Sequence, residues 1–142
     1  MFTANLFAGW VGILFGMLFG AAIGTGFHRP AFLGGYESWA RRLVRLGHIS
    51  FFGLGFVNIA SALSAPRFAA LAGGADAAAS AAGGVATAGS WLLIAGAVLM
   101  PTVCFLSAWR QGLRHLFFLP VASLVGGVAC FLTWGILTWT SA

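Results

Sequence analysis

Four apolar stretches divide the chain, and each is long enough to cross a bilayer as a helix, which takes about 20 residues. The first runs from Asn5 to Phe27 without a charged residue. It carries no Lys or Arg ahead of it and exceeds the apolar core of a secretory signal, so it reads as a retained span. It stops at His28-Arg29-Pro30, where the proline ring cannot continue a helix. A loop over 31–36 contains Gly34-Gly35, and Glu37 or Ser38 starts the next helix. That helix opens with a charged first part (Glu37, Arg41, Arg42, Arg45) and runs into a second span over about 44–64, ended by Pro66. Spans three and four cover about 90–109 and 115–139, with Pro101 near the middle of the third, where a kink is expected. Only Arg110 to Arg114 separates them, and so short a connection makes them antiparallel neighbours.

Between spans two and three the periodicity disappears. Of the 25 residues over 65–89, 17 are Ala or Gly. The stretch reads as a low-complexity external loop, with Asp76 able to cap one short helix that ends at Gly83. The fold predicted is an all-α, four-helix transmembrane bundle, with residues 1–142 as one transmembrane domain. Trp91, Trp109, Trp134 and Trp139 fall towards span ends, where an interfacial aromatic belt would lie.

Composition sharpens this. Hydrophobic residues make up 61% of the chain and charged residues 6%, against about 25% charged in a soluble domain. That excludes a water-soluble globule, and disorder with it. The net charge of +5 rests on seven arginines. They sit at helix ends and form no separate basic domain, so nucleic acid is not a predicted partner. Six of them (Arg29, Arg41, Arg42, Arg45, Arg110, Arg114) fall in or beside the loops after spans one and three, and only Arg67 on the opposite side. By the positive-inside rule these loops face the cytoplasm and both termini face the exterior. A bacterial inner membrane is the expected location.

Candidate chemistry is sparse. No span holds an acidic residue, so a carboxylate proton relay is missing. Cys104 and Cys130 lie in separate apolar runs without a CxxC. Asn58 is the one amide well inside a span, and an interhelical hydrogen bond is its expected use. Gly12, Gly16, Gly20 and Gly24 recur at every fourth position of span one. Small residues let another helix approach closely. Such a seam fits a partner subunit or a helix of this same chain, and the pattern favours neither.

The three histidines, His28, His48 and His115, all fall at the predicted cytoplasmic side. His48 and His115 share a local pattern: an arginine upstream, then His, then a Phe pair. If the two hairpins repeat about an axis along the membrane normal, both histidines occupy equivalent places. They would then be axial ligands of a b-type haem between spans two and four. Phe52 would pack on the ring, Gly55 would admit it, and Arg41, Arg45, Arg110 and Arg114 would pair with its propionates. His28 joins only in a three-histidine metal site. The same arginines suit lipid phosphate, and Arg and His at a span end also serve topology alone. Two functional classes follow. One is a small subunit or assembly factor of a respiratory or photosynthetic complex, without catalytic activity of its own. The other is a purely structural subunit that packs against partner helices and binds anionic lipid.

Overall fold

A computed structural model describes residues 2–71 and 81–140. The described residues form helices joined by short turns, and no strand occurs among them. Four helices are long and apolar enough to span a membrane: α1 (Thr3–Phe27), α2 (Trp39–Leu71), α3 (Ala81–Trp109) and α4 (Phe118–Thr140). Two 3-10 segments, Phe32–Gly34 and Gln111–Phe117, lie before α2 and α4.

The turn between α1 and α2 is built by three consecutive left-handed residues: Leu33 (φ 54°), Gly34 (φ 85°) and Gly35 (φ 94°). Two of the three are glycine, which enters that region at no steric cost. Ser38 then caps α2. Its Oγ accepts the Arg41 backbone N–H at 3.2 Å and donates to the Leu33 carbonyl at 2.5 Å, tying the turn to the helix start.

The helices follow one another as antiparallel neighbours. α2 and α3 each pack along two partners, whereas α1 packs mainly on α2 and α4 mainly on α3. α1 and α3 touch only lightly. In a bilayer, burial of apolar surface does not drive helix association, so close packing and hydrogen bonds must hold these contacts. Two clusters supply them at the Ala/Gly-rich end. The first is aromatic. Phe2 stacks on Trp134 at 5.6 Å and meets Phe131 edge-on at 5.6 Å. Phe68 closes the group at 5.2 Å from Phe131 and 5.6 Å from Trp134. Such ring pairs contribute about 0.5–1.5 kcal/mol each.

The second cluster is polar and joins three helices. Asn5 Nδ2 donates to Asn58 Oδ1 at 2.8 Å and to the Ser90 carbonyl at 3.1 Å. Ser90 Oγ donates back to Asn5 Oδ1. Asn58 Nδ2 donates to the carbonyls of Leu54 at 2.9 Å and Leu93 at 3.3 Å. Both amides are fully buried, and all four of their N–H groups have acceptors. A saturated network of this kind fixes helix register, because a slip of one residue would strand several polar atoms in an apolar medium.

Three details depart from the sequence reading. α2 continues through Pro66 to Leu71. The proline costs about 3 kcal/mol in a helix interior. Alanine, the best helix former, surrounds it, and docking of Phe68 and Ala65 into the aromatic cluster holds the helix together. α3 starts at Ala81, so 81–89 belong to a helix and not to a loop. Ala86 is buried in the same cluster, and Gly89 lies against Cys130 and the Gly127 carbonyl. Asp76 and the short helix expected after it fall mostly outside the described residues. Trp134 is 4% exposed and belongs to the core, whereas Trp91, Trp109 and Trp139 are exposed.

Candidate functional site

The glycines of α1 face α2 of the same chain. A Cβ at Gly9 would stand 2.6 Å from the Gly55 carbonyl oxygen and 2.5 Å from Ile59. At Gly12 it would meet the Phe51 carbonyl at 3.3 Å, at Gly16 the Phe52 ring at 2.7 Å, and at Gly20 the His48 ring at 2.6 Å. Gly24 meets nothing within 4 Å. The seam is therefore filled from within, from Gly9 to Gly20, and Gly12, Gly16 and Gly20 are not a free surface for another subunit. Gly9 was not part of the predicted row. The pattern that finds it is the mixed spacing 9, 12, 16, 20, which stays on one helix face. A strict step of four drifts about 40° each time and carries Gly24 off it.

This packing decides where His48 lies. Its ring rests on Gly20 and meets Phe52 edge-on at 5.4 Å. Its Nδ1 is buried without a hydrogen-bond partner. His115 is exposed on the 3-10 segment Gln111–Phe117, which packs on α3 and α4. His28 is exposed at the end of α1. The structure thus turns His48 towards α1 and sets His115 on the α3–α4 side, and it does not bring them together as an axial pair. Gly55 admits the Gly9 carbonyl and Phe52 covers Gly16, so both are used by α1. Among the described residues no three His, Cys, Asp or Glu side chains gather as a metal site.

The arginines divide into two groups. Arg110 and Arg114 are exposed. Arg41 is 7% exposed. It donates from Nη2 to the Phe27 carbonyl at 3.3 Å, and its guanidinium lies 4.6 Å from the Phe27 ring centre. It thereby caps the C-terminal end of α1, where the helix dipole is negative. Arg45 lies over the Tyr36 ring at 5.0 Å.

Compared with protein-family models, curated proteins and solved structures, the chain has no match.

One feature open to a ligand has no motif behind it in the sequence. Because α1 and α3 barely touch, a groove of about 480 Å³ runs between them over α2. Its walls include Phe7, Val11 and Phe15 of α1 with Ile94, Val98 and Phe105 of α3, and Gly55 lies in its floor. At the arginine-rich end Phe19, Phe51 and Phe105 close it, with ring centres 5.2–6.2 Å apart. Thr102 is its one polar side chain, and that hydroxyl donates to the Val98 carbonyl at 2.7 Å. The groove therefore offers an occupant apolar contact without directional bonding. From Phe7 to Phe19 it is about 18 Å long at 1.5 Å per residue.

Proposed function

We propose that this chain is a small integral membrane subunit that acts by lateral binding, holding one hydrocarbon chain of a lipid or isoprenoid in the groove between α1 and α3. The groove carries this reading: it is apolar, and it is about one leaflet long, since half a bilayer core is about 15 Å. The polar groups inside the spans point the same way. The amides of Asn5 and Asn58 are spent on each other and on backbone carbonyls, and this leaves them to structure. A photoreactive acyl chain, mapped by where it attaches along the four helices, tests the reading.

The setting proposed is a bacterial inner membrane, with lipids and the helices of a larger complex as neighbours. A respiratory or photosynthetic host and a haem between α2 and α4 gain no support from the positions of His48 and His115. The arginine distribution supports termini on the exterior side. In a background lacking Cys104 and Cys130, a cysteine at position 75 should react with an impermeant thiol reagent on intact cells. One at position 35 should react only after lysis. The reverse pattern contradicts the orientation.

A further inference from the structure

Among the described residues Arg41 is a charge without a counter-ion. The chain has two acidic residues. Glu37 pairs with Arg42, and Asp76 lies outside the described residues. Arg41 is more than nine-tenths buried, and its Nε has no hydrogen-bond partner. One turn along α2, Arg45 converges on the same tyrosine. The two guanidinium carbons stand 5.4 and 5.0 Å from the centre of the Tyr36 ring. Two like charges around one ring repel, and a buried guanidinium is costly unless paired. The ring faces and the Phe27 carbonyl offset part of that cost. The carbonyl takes one Nη2 hydrogen of Arg41 and leaves its Nε without a partner, and the geometry of a guanidinium fork matches the oxygens of a phosphate. Just below, between Gly20 under His48 and Phe27 under Arg41, the crease at Gly24 is open. A headgroup held by the arginines would find space there for the atoms that follow its phosphate.

We infer that Arg41 and Arg45, gathered around Tyr36, form a phosphate site at the membrane edge, and that its ligand is the headgroup of an anionic phospholipid in the leaflet beside the α1–α2 turn. It rests on the membrane-spanning reading and is independent of the groove. Arg110 and Arg114, exposed and on the other hairpin, take no part.

The test uses the full chain in nanodiscs of phosphatidylcholine with or without phosphatidylglycerol, read by native mass spectrometry of the lipid retained. The wild type should keep phosphatidylglycerol over phosphatidylcholine by about tenfold, the scale of one lost charge-assisted bond. Arg45→Gln should remove the preference. It carries the test because Arg41→Gln also uncaps α1. Arg110→Gln with Arg114→Gln should leave the preference intact. Inorganic phosphate separates the sources. If phosphatidylglycerol resists it, the lipid is the ligand. If phosphate displaces the lipid and binds alone in phosphatidylcholine discs, the phosphate site stands and the free ion is its ligand. A wild type that enters the discs without preferring phosphatidylglycerol overturns the site, as does equal loss in the Arg110/Arg114 variant. A chain that fails to enter the discs instead rejects the membrane reading beneath it.

Discussion

Asn58→Leu should cost about 3 kcal/mol of stability in a mixed-micelle unfolding titration. The figure combines one buried donor left unpaired, about 1–3 kcal/mol, with loss of interhelical bonds at about 0.6–1.7 kcal/mol each. The stranded donor is Asn5 Nδ2, which loses its 2.8 Å bond to Asn58 Oδ1. Removing the stranded partner as well should relieve part of the damage, because a buried polar group costs most when its partner alone is deleted. The double variant Asn5→Leu/Asn58→Leu should therefore be more stable than the sum of the single losses by about 1 kcal/mol or more. Strictly additive losses would mean that the two amides do not share a network.

The second large effect is a ranking along one helix face. Gly9→Leu should destabilise by about 3 kcal/mol, at the upper end of ordinary overpacking. Its Cβ would stand 2.6 Å from the Gly55 carbonyl oxygen, and backbone cannot move aside without separating α1 from α2. Gly16→Leu and Gly20→Leu should cost less, because the Phe52 and His48 rings they meet can rotate away. Gly24→Leu should be nearly neutral, since nothing lies within 4 Å of it. A series in which Gly24 is as sensitive as Gly9 would place another helix on that end of α1.

The sequence made much of the scaffold legible because a bilayer demands long uncharged runs, and four of these were plain. The helix start at Glu37 or Ser38, of which the structure uses Ser38, and Asn58 as an interhelical hydrogen-bonding residue were also readable, each being a polar group whose use at its position is restricted. The partner of Asn58 was hidden: Asn5 sits at the first turn of α1, where an amide could equally face water. Helix limits near Pro66 and Ala81 were hidden too, because the rings of Phe2, Phe68, Phe131 and Trp134 decide them, and those come from three separate parts of the chain. The histidines show the opposite failure. The shared pattern around His48 and His115 suggested equivalence, yet one lies inside a regular helix and the other on a 3-10 segment. The groove left no local trace, since it arises from the light contact between α1 and α3.

Photo-crosslinking with a phospholipid that carries a diazirine midway along one acyl chain tests lateral binding most directly. Attachment should concentrate on the facing walls of α1 and α3, around Val11, Phe15, Val98 and Thr102. It should fall when Ala8→Phe and Ala97→Phe fill the groove that both residues line. Attachment spread evenly over exposed apolar positions such as Val125 and Leu132 of α4, and unchanged by the filling pair, would contradict it.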